Sequence, residues 1–187
     1  MPISELSSEK DLKFSYSTKG KVLENLSGTI ASAHFPDQII IAVGKWLQNK
    51  EEILDRVLET FAGQSTVVRS SCINEDHWDN SQAGRFLTLI GVDPDRACIE
   101  VAIQQVIDSF DDSDPKHQVL VQSKIENVAM SGVVMTRDLD TGAPYWVINY
   151  DDVTGRTDTV TSGAESKSIR IIRGHLESVH SPRIGML

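Results

Sequence analysis

The spacing of apolar and polar positions changes midway along the chain, from helical periodicity to short runs that are typical of strands. Residues 19–30 place apolar side chains on one helical face after a glycine turn, and residues 34–47 and 49–63 repeat that spacing. A further amphipathic run covers residues 93–110. The first half of the chain is therefore predicted to be mainly helical.

Start and stop signals frame two of these helices. Asn49 precedes a first turn rich in acidic residues, and Gly63 follows the last periodic position. Asp93 and Pro94 stand where a helix cap and the first helical residue are expected. These signals predict separate helices starting near Asn49 and Asp93.

Short apolar runs between Gly, Asp and Pro turns predict the strands. They cover residues 12–18, 65–71, 117–125, 131–138, 145–151, 158–163 and 166–174. Helices that precede strands, instead of alternating with them, favour an α+β fold in which a helical first half packs on a mainly antiparallel sheet. We expect a flexible segment at residues 1–11, one domain over residues 12–173 and a tail at residues 174–187.

Composition narrows the classes of protein to consider. The length of 187 residues suits one domain or two small subdomains, and 40% apolar with 24% charged residues is ordinary for a globular protein. A net charge of −9 argues against nucleic acid as the main partner but leaves room for a small phosphorylated ligand. The chain has two cysteines without metal-ligand spacing, no signal-peptide pattern and no long apolar run, so we expect a cytoplasmic protein without a membrane partner.

Residues 67–86, VVRSSCINEDHWDNSQAGRF, combine two valines with a dense group of polar side chains. Arg69 would leave a strand end with its fork of donors free for phosphate oxygens, and Ser70 would open a turn. Glu75 and Asp76 would shape the loop around this arginine. The alternative is a surface turn with a structural arginine–carboxylate pair.

Two other stretches carry candidate binding residues. Lys21 follows Gly20 at the predicted start of a helix, where anions bind favourably, although the chain has no P-loop pattern. The alternative for Lys21 is an exposed helix lysine. Residues 122–125, at the end of a predicted strand, could read an adenine through the backbone; the alternative is a β-hairpin with charged ends. This strand end comprises Gln122, Ser123, Lys124 and Ile125.

Four motifs, in order, resemble the nucleotide-binding domain shared by phosphoenolpyruvate synthase and pyruvate phosphate dikinase. The VVRSS…AGRF stretch resembles that family's VRSSxxxED…SxAGxF motif, and KGKVLENL resembles its GGKxxxLxxL loop. VLVQSKI…SGVVMTRDLDTG is similar to VVVQxMV…SGVxFTxDPxTG, and WVINYD…GRTDTVTSG is similar to INAxxGLGExVVxG. The resemblance covers about residues 19–163.

The resemblance implies an ATP-grasp fold, with ATP and Mg²⁺ as cofactors and a phosphohistidine domain as partner. Lys21 and Arg69 would contact the ATP phosphates, and residues 122–125 would lie along the adenine. Arg137, in the TRDLDTG stretch, and Asp158, at the position of the family's GLGE glutamate, are further candidate site residues. Phosphoryl would pass from ATP to a histidine on another domain.

The chain also departs from the family. The RAxxYR motif that precedes the family's VVVQ strand is replaced by an acidic interval without arginine, and no DIEW-like motif follows Gly163. The family's metal ligands are therefore not identified in this chain, and we expect none among its residues.

Two hypotheses follow. The chain is the ATP-binding part of a phosphoenolpyruvate-synthase-like phosphotransferase, a fragment inactive without its missing half. Alternatively, it is a non-catalytic binding or interaction module that keeps the fold. A different ATP-grasp ligase is a weaker third interpretation. A sheet over residues 117–173 with a bare apolar face would also favour self-association, so a homodimer is expected.

Overall fold

A computed structural model describes residues 18–27, 29–71, 87–156, 159–160 and 167–174. These residues form three helices and seven strands. In chain order they are α1 (Lys19–Ser27), β1 (Gln38–Ala42), α2 (Val43–Thr60), β2 (Thr66–Ser70), β3 (Thr88–Val92), α3 (Arg96–Asp108), β4 (Gln118–Ser123), β5 (Ser131–Met135), β6 (Tyr145–Asp151) and β7 (Lys167–Ile172). The chain divides into two compact units, and the second begins at Ile125.

The first unit is built on a four-stranded antiparallel sheet in the order β1-β4-β2-β3. Helices α2 and α3 cover one face, where Trp46 and Ile103 pack with Val121 in the main core. Helix α1 contacts the opposite face at Ile40. Because the central strand β4 is covered on both faces, Leu120 is as fully buried as its neighbours.

The second unit is a three-stranded antiparallel sheet in the order β5-β6-β7. Its small core contains Ile148 and Ile171, with Trp146 packed against them. This unit contains two turns of one design, D-x-x-T-G, at residues 138–142 and 151–155. In each turn the aspartate accepts hydrogen bonds from the threonine, and the glycine has a positive φ of 69° or 68°, which glycine adopts without strain.

The predicted helix at residues 34–47 is wrong. Residues 38–42 form strand β1, and helix α2 starts directly after it at Val43. Three consecutive isoleucines have β-branched side chains that favour a strand, and all five β1 residues pair with β4. Spacing alone did not separate a strand followed by a helix from one continuous helix.

The other helices lie close to the predictions. The expected start at Asn49 appears as a kink inside α2, where Asn49 has non-helical angles (φ −133°, ψ 40°). Helix α3 is capped by Asp95 instead of Asp93, because the Asp95 carboxylate accepts from the N–H groups of Ala97 and Cys98. Strand β3 was not predicted.

A mixed fold of helices and antiparallel sheets is confirmed, but the strands are spread more evenly along the chain than expected. Strands β1, β2 and β3 all belong to the half of the chain predicted to be mainly helical. The single sheet expected over residues 117–173 is wrong, because β4 pairs with β1 and β2 while β5, β6 and β7 form a separate sheet. The predicted strand at residues 12–18 lies outside the described residues, apart from Thr18. The outer domain limits and the homodimer stay predictions.

Candidate functional site

Helix α1 meets the sheet through Gly20, which is buried. A Cβ atom at this position would lie 2.8 Å from Ile40 Cγ1 and 3.5 Å from Leu120 Cδ1. The first distance is shorter than real Cβ contacts, so a larger residue would push α1 or Ile40 away. Glycine therefore allows the start of α1 to lie directly on the sheet.

The Gly20 backbone also joins the two motifs that sequence reasoning treated separately. Its N–H donates a hydrogen bond of 3.0 Å to Ser71 Oγ, which lies 51 residues further along the chain. Ser71 is 0% exposed, and its own N–H donates to the Gln118 carbonyl at 2.9 Å. The start of α1 and the end of β2 thus lie at one corner of the first unit.

The carbonyl of Gly20 accepts a hydrogen bond from one glutamine side chain, and a second glutamine holds the first. Gln38 Nε2 donates to this carbonyl at 3.2 Å, and Gln122 Nε2 donates to Gln38 Oε1 at 3.3 Å. Gln38 and Gln122 are paired directly across β1 and β4, so their side chains share the sheet face contacted by α1. Gln122, predicted beside an adenine, is therefore already engaged in holding α1.

Lys21 projects from α1 with its side chain 56% exposed. Its Nζ forms an ion pair of 2.6 Å with Glu24. Its N–H donates to Thr18 Oγ1 at 3.3 Å, and the Val22 N–H donates to the Thr18 carbonyl at 2.9 Å. The N–H groups of Gly20, Lys21 and Val22, at a helix start that was expected to attract an anion, are thus already hydrogen-bonded.

Arg69 lies inside β2 and not beyond its end, which corrects the predicted position. It pairs with Thr88 on one side and with Leu120 on the other. Because residues directly opposite in an antiparallel pair share a face, Arg69 points to the same side as Leu120, where Gly20 packs. Arg69, which is half-buried, therefore lies on the same face of the sheet as helix α1, which carries Lys21.

Ser70 does not open a turn, as the sequence suggested. It is the last residue of β2, is 3% exposed and lies opposite Val119, a member of the main core. Burial of Ser70 and Ser71 fixes the end of β2. The predicted loop-shaping residues Glu75 and Asp76 lie outside the described residues.

The predicted adenine strand end is only partly available for a ligand. The N–H of Ser123 donates to the Asp37 carbonyl at 3.1 Å, and the N–H of Lys124 donates to the Ser65 carbonyl at 2.9 Å. Ile125 begins the second unit and is 59% exposed. An adenine would therefore find these two donors engaged within the first unit.

The remaining candidates belong to the second unit. Arg137 is exposed, and its Nη1 donates to the Gly142 carbonyl at 3.1 Å across the 138–142 turn, which is a structural contact. Asp158 lies outside the described residues. The carboxyl groups of Asp138 and Asp151 have lowered pKa values, in each case first because a threonine hydroxyl in the same turn donates to them.

The residues that the structure describes show neither a metal-binding group nor a membrane-spanning helix. Within them, no group of three or more His, Cys, Asp or Glu side chains is arranged to hold a metal ion. No helix among the same residues has the length and apolar character needed to cross a membrane.

A cleft of about 340 Å³ lies between β1 and one face of α2, and sequence reasoning did not anticipate it. Isoleucines of β1 line it together with Lys45, Glu52 and Arg56 of α2. Neither Lys21 nor Arg69 lines this cleft, although its lining includes Ile40, on which Gly20 packs, and Gln118, whose carbonyl accepts from Ser71.

Sequence reasoning named Lys21 and Arg69 as candidates and did not name Gln38 or Thr18, which the structure places at the start of α1. Gln38 carried a usable signal, because a strand beginning there would place Gln38 and Ile40 on one face. Because residues 34–47 were predicted to be a helix, this shared face was not recognised. Thr18 matches the common helix-cap residue types, but it fell at the end of a predicted strand.

Searches of protein-family profiles and of curated proteins found no match to this chain. The resemblance to the phosphoenolpyruvate synthase and pyruvate phosphate dikinase family therefore depends on the four motifs alone.

Proposed function

We propose that this chain is the ATP-binding part of a phosphotransferase of the phosphoenolpyruvate synthase type. The observation that carries the proposal is the hydrogen bond from the Gly20 N–H to Ser71 Oγ. It joins the KGK stretch to the VRSS stretch, which are the two motifs expected to bind the ATP phosphates.

The chemistry of this corner suits a polyphosphate. Arg69 offers a planar fork of donors from a rigid strand, and Lys21 offers a charge on a long, exposed side chain. Lys21 must leave Glu24 to reach a ligand, and an exposed ion pair of this kind contributes only about 0–1 kcal/mol. Together the two cations would neutralise phosphate charge, which is the main requirement of phosphoryl transfer.

Adenine would lie along residues 122–125, where Gln122 is part of β4 and Ile125 offers apolar surface. Because the N–H groups of Ser123 and Lys124 are engaged, adenine contacts would come from carbonyl groups and side chains. The base is therefore expected to contribute less specificity than the phosphates.

The Mg²⁺ ligands are not identified among the described residues, where no group of three or more His, Cys, Asp or Glu side chains is arranged to hold a metal ion. In the proposal, the metal ligands come from outside the described residues. In the proposal, the phosphoryl acceptor is a histidine on another domain, and this chain alone is inactive. A cytoplasmic location belongs to the same proposal.

One observation favours the alternative, a non-catalytic binding or interaction module. The N–H groups of Gly20, Lys21 and Val22 are bonded to Ser71 and Thr18, and Lys21 is paired with Glu24. A helix start closed in this way is stable without a ligand. The two functions differ on whether the folded chain binds ATP.

The test is a calorimetric titration with ATP, with and without Mg²⁺, on the wild-type chain and on Arg69→Ala and Arg69→Lys variants. Loss of charge-assisted hydrogen bonds at about 1.5–3 kcal/mol predicts affinity roughly 10- to 100-fold lower for Arg69→Ala. Arg69→Lys keeps the charge without the fork, so we expect an intermediate loss.

Arg56→Ala is the matched control, because Arg56 is an exposed arginine on α2. It should leave ATP affinity unchanged. The proposed function would be contradicted if the folded wild-type chain bound no ATP, or if the Arg56 and Arg69 variants lost affinity equally. Either result would favour the alternative, a non-catalytic interaction module.

A further inference from the structure

We infer that Ser71 and Gln38 are positioning residues that set where Lys21 stands relative to Arg69. This inference rests on the proposed function and extends it to residues not predicted to bind the nucleotide. Its basis is that both backbone polar groups of Gly20 are held from the sheet. The N–H donates to Ser71 Oγ at 3.0 Å, and the carbonyl accepts from Gln38 Nε2 at 3.2 Å.

The two contacts come from different strands, so they hold Gly20 in two directions. Ser71 follows directly after β2, and Gln38 begins β1. Between them runs β4, which supplies Gln122 to hold Gln38 and the Gln118 carbonyl to hold Ser71. The next residue after Gly20 is Lys21, so the position of its backbone follows from these bonds.

The packing beneath Gly20 adds a third restraint. A Cβ there would lie 3.5 Å from Leu120 Cδ1, and Leu120 is paired with Arg69. The same β4 residue therefore lies beneath α1 and beside the arginine. The positions of the Lys21 and Arg69 backbones relative to each other are therefore set by the sheet, which reduces the ordering needed to bind a phosphate group between their side chains.

Burial distinguishes this arrangement from an ordinary helix cap. Ser71 is 0% exposed, so water cannot readily replace its hydroxyl, whereas Gln38 is half-buried and is held by the buried Gln122. Removing the Ser71 hydroxyl leaves the Gly20 N–H without its partner, which is costly for a buried donor. The start of α1 should then open more often, while the sheet strands stay paired.

The experiment compares Ser71→Ala and Gln38→Leu with Thr66→Val. Thr66 is also 0% exposed on β2, but its hydroxyl contacts Val92 at the other end of the strand. Amide hydrogen exchange is measured by NMR at Lys21 and Val22 and, as an internal reference, at Val119–Val121. Binding of ATP, inorganic tripolyphosphate and adenosine is measured by calorimetry.

In Ser71→Ala and Gln38→Leu, we expect exchange at Lys21 and Val22 to rise about tenfold while exchange in β4 is unchanged. Affinity for ATP and for tripolyphosphate should fall about tenfold in both variants, and adenosine binding should not change in Ser71→Ala. Thr66→Val should alter none of these. A general loss of structure would instead raise exchange in β4 and weaken all three ligands together.

The outcomes separate the inference from the proposed function. If the wild-type chain binds ATP and both variants bind it equally well, the positioning role is wrong and the function stands. If α1 exchange is unchanged in both variants, the restraint itself is wrong. If the folded wild-type chain binds neither ATP nor tripolyphosphate, the proposed function fails, and the positioning role for phosphates fails with it.

Discussion

The N–H of Gly20 donates to the buried hydroxyl of Ser71, and this bond joins the start of α1 to the end of β2 across 51 residues of sequence. Each partner belongs to a motif that is unremarkable by itself: a glycine–lysine pair and an arginine–serine pair. Their contact places both motifs at one location on the sheet. The site is therefore defined by a long-range bond that neither motif specifies alone.

Replacing Gly20 by alanine should destabilise the first unit by about 1–3 kcal/mol, because the new methyl group would overlap with Ile40. The free energy of unfolding, measured in urea, checks this value. Asn25→Ala, at an exposed position of the same helix, is the control and should change stability by less than about 0.5 kcal/mol. Equal effects of the two substitutions would mean that α1 does not pack closely on β1.

Replacing Glu24 by glutamine should raise ATP affinity by roughly two- to fivefold. The substitution removes the carboxylate that pairs with Lys21 at 2.6 Å, and an exposed ion pair contributes up to about 1 kcal/mol. Glu59→Gln changes the net charge equally at an exposed position of α2. If both variants bind ATP alike in calorimetry, the gain is a general charge effect and Glu24 does not compete for Lys21.

The cap of α3 can be tested by comparing two nearby aspartates. Asp95→Ala should cost about 1 kcal/mol, because its carboxylate accepts from the N–H groups of Ala97 and Cys98. Asp93→Ala should cost much less, although the sequence pattern favoured Asp93 as the cap. Thermal or urea unfolding of the two variants decides between them, and a larger loss for Asp93→Ala would contradict the observed cap.

The second unit should lose stability in acid through Asp151. The Thr154 hydroxyl and the backbone N–H groups of Thr154 and Val153 hold the pKa of this carboxyl well below its usual range. A carboxyl whose pKa is lowered by folding stabilises the fold above its unfolded pKa of about 3.9, and that contribution is lost as pH falls toward the folded pKa.

Asp151→Asn should therefore flatten the acid side of the stability curve below about pH 4, while lowering stability at neutral pH. The measurement is urea unfolding at a series of pH values. Asp140→Asn, at an exposed position of the 138–142 turn, should keep the wild-type pH dependence. If Asp151→Asn shows the wild-type slope below pH 4, the carboxylate contacts of this turn do not govern acid stability.

Elements with long or bounded patterns could be predicted from the sequence. The run at residues 93–110 is periodic over several turns, and the strand at residues 145–151 ends in a polar turn, so local signals agreed with the fold. Residues 34–47 failed because Ile39, Val43 and Trp46 fit a helical stripe as well as a strand followed by a helix. Pairing with β4, about 80 residues away, decided the outcome.

The candidate site, like the fold, could be predicted only in part. Lys21 and Arg69 could be selected because their residue types suit phosphates, and the structure brings their elements to one face. The supporting residues could not be selected, since Gln38 acts through a contact with Gly20 that depends on the sheet register. The ion pair of Lys21 with Glu24 also needed side-chain geometry, although the two residues are only three positions apart.

The most direct measurement is an NMR titration of the folded chain with ATP and Mg²⁺, following each backbone amide. The proposed function predicts that the largest shifts cluster at the start of α1, around Arg69–Ser71 and near residues 122–125. In Arg69→Ala the same shifts should require roughly 10- to 100-fold more ATP. A folded chain whose spectrum does not change, or changes only at residues far from this corner, would contradict nucleotide binding at the Gly20–Ser71 contact.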